Sequence, residues 1–292
     1  MGNLKEIRTR ISSVKSTRQI TSAMKMVSAA KLKRAQDTAI NIRPYGHKLM
    51  EILADLVVSL EGEIQSDYIT ERTVKRVLLV PISGNKGLCG NFNANIGKEV
   101  SSLVNERFQQ VQKEGNLDFF CFGHKGVQTL RSRGYSIVAD HSDMLEQLSF
   151  DQVSPIIGGI MEQFLKQEYD EVWLIYNRFK NAAVQLPTVE QFLPIQLTVD
   201  EEEFHPIHYL YEPSQHEIVQ QLIPRALKIQ FYEALAESLA AEHGARMTAM
   251  HKATDNATGL IRSLQLDYNK ARQAAITREI SEIVGGAEAL SK

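Results

Sequence analysis

Three groups of residues in this 292-residue chain have the types and spacing that chemistry uses. The first is Gly84-Asn85-Lys86-Gly87-Leu88-Cys89-Gly90, between a strand-like run and a helix-like run, where phosphates often sit on a helix N-terminus. Its spacing is G-x-x-G-x-x-G, which is neither the dinucleotide fingerprint nor G-x-x-x-x-G-K-[ST], and no acid follows a second strand at the distance that holds a ribose. The loop reads better as a tight, exposed turn whose glycines let a protein partner approach closely. The second group, His205, His208 and His216, lies among Pro206 and Pro213; HxxH without an acidic third ligand at helical spacing is weak evidence for metal. The third is Cys89, with Lys86 close enough to lower its pKa but no histidine nearby in sequence, so an inert thiol is expected. Glu201, Glu202 and Glu203 read as a solvated turn, and Met24, Met26, Met247 and Met250 as packing residues. No complete active site emerges, and no cofactor or metal is expected.

The elements that position these residues are unusual at both ends. No glycine or proline interrupts Asn3 to Arg43, and no proline interrupts Arg225 to Lys292. As unbroken helices these runs span roughly 60 Å and 100 Å, against about 30 Å for a small domain. Asn3 and Glu6 are spaced for a helix start. Met247, Met250, Thr254, Ala257, Ile261, Leu264, Tyr268, Ala271 and Ala275 follow at alternating steps of three and four, a narrow coiled-coil seam with one polar member, Thr254. Beyond Ala275 the seam shifts by one position through Ile276, Ile280, Ile283, Ala287 and Leu290. The first run offers Leu4, Ile7, Ile11 and Val14, drifting to Ile20, Met24 and Val27. Both seams lie in one chain, so they can close intramolecularly as an antiparallel pair; pairing with a second copy is the alternative.

Between the rods, strands alternate with helices. Val74 to Ile82, Leu117 to Phe122, Tyr135 to Ala139 and Glu171 to Phe179 read as strands, with helices over Asn93 to Phe108, His124 to Arg133 and Val153 to Tyr169. This order predicts right-handed crossovers and a mainly parallel, covered sheet. Val184 to Leu197 reads as a further strand, irregular or at an edge because of Pro187 and Pro194. The predicted fold class is α/β: a long antiparallel coiled coil of the terminal helices plus a central Rossmann-like domain with a mainly parallel sheet. Its expected bounds are 1–60 for the N-terminal helix, 74–205 for the α/β domain and 210–292 for the C-terminal helix that pairs with 1–60.

Composition narrows the setting. Apolar residues make up 43% of the chain, enough for one compact domain with a helical arm. No run of eighteen apolar residues and no apolar signal-peptide centre occurs, so neither membrane spanning nor export is expected. Two cysteines, Cys89 and Cys121, are too few for a disulfide scaffold and suit a reducing compartment. Residues 1–43 hold ten Lys or Arg against Glu6 and Asp37, a balance of +8 in a chain whose total is −2. Such a basic rod suits an acidic partner, and charge does not choose between nucleic acid, an anionic membrane surface and an acidic protein loop.

Four motifs, in order along essentially the whole chain, carry a resemblance. Ile20-Thr-Ser-Ala-Met24-Lys-Met26-Val27, Gly87-Leu-Cys-Gly-Asn-Phe-Asn93, Tyr209-Leu-Tyr-Glu-Pro213 and the run from Ala245-Arg-Met-Thr-Ala-Met-His-Lys-Ala-Thr-Asp-Asn256 to Thr277-Arg-Glu-Ile-Ser-Glu-Ile-Val284 resemble the gamma subunits of F-type ATP synthases. The resemblance implies a rotor without a catalytic site of its own. Its coiled coil would enter the ring of alpha and beta subunits, and its α/β domain would stand on the membrane c-ring beside the epsilon subunit, at the cytoplasmic face of a bacterial membrane. It further implies that Met24 and Arg246 face the beta subunits, that Arg272, Gln273, Thr277 and Glu279 lie where shaft meets collar, and that Lys86, Cys89 and their loop lie beside an acidic loop of beta. Tyr209, Tyr211 and Glu212 match the foot on the c-ring. Lys31, Lys33 and Arg34 join the collar contacts because they form a basic run. Gly84-Asn85-Lys86-Gly87 departs from the acidic residue and arginine common before this glycine in the family, and the cysteine-bearing insertion of photosynthetic members is absent. Gly285 and Gly286 cost the last turns about 1 kcal/mol each relative to alanine.

Two other functions compete on sequence alone: a nucleotide-binding α/β enzyme, and a basic coiled coil that binds nucleic acid. The latter requires strong, salt-sensitive affinity for duplex DNA. The rotor reading predicts only weak DNA binding at physiological salt, as a filter-binding titration would measure.

Overall fold

A computed structural model describes residues 4–59, 66–70, 72–196, 212 and 215–290. In chain order the elements are α1 (Leu4–Ser59), β1 (Val77–Pro81), α2 (Phe92–Glu106), α3 (Gln109–Lys113), β2 (Leu117–Cys121), α4 (His124–Ser132), β3 (Ile137–Asp140), a 3-10 turn (Ser142–Leu145), α5 (Phe150–Leu165), β4 (Glu171–Phe179), β5 (Gln185–Leu193) and α6 (Gln215–Leu290). The two terminal helices run through Pro44 and Pro224, so the proline-free runs underestimate both. The contacts divide the chain into two compact units, residues 1–28 with 247–292, and residues 29–246.

The larger unit is built on a five-stranded sheet of order β3-β2-β1-β4-β5. β1 pairs in parallel with β2 and β4, and β2 with β3, while β5 closes the edge antiparallel to β4. The central strands read as continuous apolar runs because both faces are covered. Leu78, Val80 and Leu174 pack with Leu49, Leu53 and Leu56 of α1, Ile157 and Phe164 of α5, and Leu227 and Phe231 of α6. On the opposite face Val77, Leu79, Trp173 and Ile175 meet Ile96, Val100 and Val104 of α2, and Val127 and Leu130 of α4. Each fully buried Leu or Phe in these layers contributes about 1.5–3 kcal/mol relative to exposure. The expected mainly parallel α/β domain is therefore present. Pro187 lies in the edge strand, where a missing amide donor is tolerated. Sequence reading passed over two short elements, α3 and the 3-10 turn, which are too brief for helical periodicity to register.

The start of α4 is locked against β1. Gly123 has φ +106, and a Cβ there would lie 2.1 Å from the Ser83 carbonyl oxygen. The Ser83 hydroxyl accepts the Gly126 amide at 2.8 Å and donates to the Gly123 carbonyl at 3.0 Å. Asn85 Oδ1 accepts the His124 amide at 3.2 Å. The chain thus caps this helix with its own side chains.

The smaller unit is the expected antiparallel coiled coil. Thr21 stands opposite Thr254 and Lys25 opposite His251, so the helices run in opposite directions. On α6 the covered positions include Met247, Met250, Thr254, Ala257, Ile261, Leu264, Tyr268 and Ala271, the seam read from the sequence, with Thr248, Ala249, Ala253 and Thr258 partly covered beside it. The helix start expected at Asn3 lies outside the described residues.

Substituting Gly123→Ala combines a positive φ with a backbone clash. It should lower the stability of the full chain to urea by about 3 kcal/mol or more, whereas Gly134→Ala, with positive φ but open space, should cost clearly less.

Candidate functional site

The outward face of the coiled coil is the first candidate surface. Sequence reading had the α1 seam drifting to Ile20, Met24 and Val27, and the structure corrects this. Ile20 is 60% and Val27 57% exposed, Met26 faces outward as well, and only Met24 is partly covered. The seam continues instead in strict register through Arg18, Thr21, Lys25 and Ser28. Polar pairing across the helices holds it there: the Thr21 and Thr254 hydroxyls meet at 2.8 Å and Lys25 Nζ donates to His251 Nδ1 at 3.3 Å, while Ser28 Oγ is satisfied within α1 by the Met24 carbonyl at 2.7 Å. Apolar side chains thereby point away from the helix pair along the very stretch where the pair is held by hydrogen bonds.

The second candidate surface is the end of α6. With Thr21 opposite Thr254, the start of α1 at Leu4 falls opposite about residue 271. Every described side chain from Arg272 to Ala287 is exposed. The shifted row through Ile276, Ile280 and Ile283 thus has no α1 beneath it, and Ile283 is 70% exposed. A helix end of about nineteen residues, roughly 28 Å long, carries an apolar row that no described residue of α1 covers.

The glycine loop after β1 is the third, at the sheet's carboxyl edge where strand order changes direction and α/β folds commonly bind ligands. Here the position is filled by the chain itself. Glu242 of α6 lies against Gly84, so close that a Cβ on Gly84 would come within 2.8 Å of its carboxyl carbon. Arg246 pairs with Glu242 at 2.6 Å, and its other terminal nitrogen donates to the carbonyls of Lys86 (3.0 Å) and Gly87 (3.4 Å). Asn93 accepts the Gly84 amide at 2.8 Å and donates to the Lys86 carbonyl and to Cys89 Sγ. A carboxylate therefore occupies the ground over Gly84 that a phosphate would need, and like charges repel there. Beside it an open, polar cavity of about 530 Å³ is bordered by Lys31, Asn85, Lys86, Glu146, His243 and Arg246, among others. His243 is buried with Nδ1 unbonded, and its pKa is pushed down to about 4 by burial, with Arg246 and Lys31 adding repulsion.

Comparison with known proteins gives one consistent result. The ATP synthase family model matches residues 3–290. The ATP synthase gamma chain of Flavobacterium johnsoniae is 53% identical over all of both chains, and that of Cytophaga hutchinsonii 49% identical, again over all of both. The chain belongs to the ATP synthase gamma chain family. Among solved structures, the central stalk and c-ring of Tetrahymena thermophila mitochondrial ATP synthase includes a similar chain: TM-score 0.56, 27% identity, 80% of this chain and 99% of that one. A chain of the Euglena gracilis mitochondrial enzyme shares the fold at TM-score 0.68 and 19% identity, over 98% of this chain and 94% of that one.

In this family member the residues singled out from sequence divide into several groups. Lys31, Arg34 and Lys86 are exposed, and Lys33 is held by Asp37 one turn on at 2.8 Å. Arg272, Gln273, Thr277 and Glu279 lie on the exposed helix end. Two expected surface contacts are internal. Cys89 is 1% exposed and packs with Phe92, Ala241 and Ala245, and burial pushes its thiol pKa up, away from the reactive thiolate. Arg246 is buried and engaged with Glu242 and the loop, because its fork finds a carboxylate one helical turn away. Glu212 is exposed; Tyr209, Tyr211, His205, His208 and Glu201 to Glu203 lie outside the described residues, as does the His216 side chain. Among the described residues no group of three His, Cys, Asp or Glu is arranged for a metal. Sequence reasoning missed Glu242 and His243; the i, i+4 spacing of Glu242 and Arg246 was the available signal for the first, and nothing local marked the second.

Two outcomes follow from this geometry. Calorimetry with the full chain should detect no binding of ATP or NAD at the glycine loop. Below pH 6.5 the unfolded chain protonates His243 while the folded chain resists until about pH 4. The stability protected by the neutral ring is complete above 6.5 and is lost as pH falls toward 4, by up to about 3 kcal/mol. Urea unfolding of His243→Gln should show a correspondingly flatter decline from pH 6.5 to 5 than the parent chain.

Proposed function

We propose that the chain is the central-stalk rotor subunit of a proton-translocating F-type ATP synthase, carrying torque between a membrane c-ring and the ring of alpha and beta subunits. One observation carries the reading furthest: an apolar row on a helix end that its own coil leaves bare, continued in kind by Ile20, Met26 and Val27 on the outward side of α1. Exposed apolar rows of this extent mark surfaces that meet another protein. Full-length similarity to gamma chains supports naming that protein as the catalytic ring.

Torque in such a machine is differential contact. A shaft with unequal sides biases each beta subunit toward a different state, and only contacts that differ between states shift the balance. Here the exposed stretches differ in character: apolar at Ile20 and Val27, basic at Lys31 and Arg34, and polar at Gln273, Thr277 and Glu279. Met24, Lys31, Lys33, Arg34, Lys86, Arg272, Gln273, Thr277 and Glu279 are the proposed contacts with the alpha and beta ring. Tyr209, Tyr211 and Glu212 form the proposed foot on the c-ring, with the epsilon subunit beside it. The chain itself would make and break no phosphate bond and need no cofactor; one copy would serve each complex, held peripherally at the cytoplasmic face of the bacterial membrane through the c-ring. No helix among the described residues is long and apolar enough to cross a membrane.

A pull-down from native membranes with this chain as bait should recover alpha, beta and epsilon subunits in fixed ratio; their absence would remove the reading. Reversing the charge of Lys31, Arg34 or Lys86 should slow ATP turnover or loosen its coupling to proton pumping severalfold while the complex stays assembled, as paired hydrolysis and pumping assays on membrane vesicles would show.

A further inference from the structure

We propose that Arg246 and Glu242 act as positioning residues, a buried latch through which helix α6 fixes the glycine loop so that the loop, and not Arg246, meets the catalytic ring. The inference rests on the rotor reading above. It differs from a direct role for Arg246, because the side chain is buried and each of its terminal nitrogens is engaged within the chain.

The loop it holds is built to display side chains. Leu88 adopts φ +62, a left-handed conformation that costs a non-glycine residue roughly 1–2 kcal/mol, and is nonetheless 67% exposed. Lys86 beside it is also exposed. A strained backbone that presents an apolar and a basic side chain to solvent persists only if its surroundings over-determine it. Asn93 braces the loop from within, bonding the Gly84 amide and the Lys86 carbonyl. Arg246 braces it from α6, donating to the Lys86 and Gly87 carbonyls, which belong to two successive peptide groups. A guanidinium suits this task because its donors are fixed in one plane, and Glu242 holds that plane in place. Gly84 completes the latch by leaving room for the Glu242 carboxylate. Glu242 and Arg246 thus tie the loop to the part of α6 that lies in the larger unit.

The test is a double-mutant cycle in assembled ATP synthase, read in membrane vesicles as ATP-driven proton pumping per ATP hydrolysed. Glu242→Gln with Arg246→Gln removes both charges and leaves no lone buried ion. Lys86→Ala with Leu88→Ala strips what the loop displays. Each pair should lower coupling about threefold, and the quadruple variant should fall no further than the loop pair alone, since residues acting in one chain of contacts are not additive. Multiplying effects, or wild-type coupling in the latch pair, would overturn the proposal. Gly84→Ala keeps every charge but crowds Glu242 off the loop; it should lower coupling in the same direction, and wild-type coupling there would also count against the latch. Amide exchange of residues 84–90 in the full chain should quicken in the latch pair, and unchanged exchange would refute the latch whether or not that variant assembles. If the parent chain itself fails to co-purify with a catalytic ring, the rotor reading falls, while the exchange result still judges the latch.

Discussion

The two ends of this chain must pair with each other although they differ in length, and most of what is distinctive in the structure follows from that. Helix α1 has 56 residues and α6 has 76, and antiparallel pairing brings the start of α1 opposite residue 271 or so. The seam rule of alternating three and four steps fixes which side of each helix is covered. Whatever apolar character lies off that seam, or beyond its end, is left exposed. The bare row from Ile276 to Ile283 lies past the described end of α1.

Within the pair, polar contacts appear where a simple core would place aliphatic ones. Thr21 with Thr254 and Lys25 with His251 give up some burial and in exchange define register, since a slip by one turn would separate both pairs. The outward turn of Ile20, Met26 and Val27 has the same origin: the hydrogen-bonded side faces inward, so the apolar side faces out. In the larger unit Glu237 is buried and receives Arg43 from α1 and lies 3.6 Å from Arg178 of β4, so charge as well as apolar burial ties helix to sheet. Only the carboxylate is buried, since both arginines reach it from the solvent side, so removing an arginine is the costly change because it leaves Glu237 buried with less compensation.

Much of this was legible in the sequence. The seam from Met247 to Ala271, the strand and helix order, and the edge character of β5 followed from periodicity and proline placement, which are local signals. Drift of the α1 seam was misread because apolarity was followed in preference to register; Ile20 and Val27 attract the eye, whereas the true seam passes through Arg18 and Lys25, whose stems cover the interface while their heads stay wet. The spacing of the glycine loop reads as a poor phosphate cradle. The physical reason, a carboxylate lying over Gly84, depends on a residue about 160 positions away that no local pattern connects to it. Arg246 and Cys89 were read as surface residues for the same cause, since burial arises from tertiary packing.

The claim on which everything else leans is that the two helix ends act as one unit while the machine runs. Cysteines at positions 21 and 254 would stand within reach of a disulfide, given the 2.8 Å between the native hydroxyl oxygens. In assembled ATP synthase carrying Thr21→Cys and Thr254→Cys, oxidation should cross-link the chain to itself in high yield, with ATP hydrolysis and proton pumping preserved. Failure of the bond to form, or arrest of turnover once it has formed, would contradict the account.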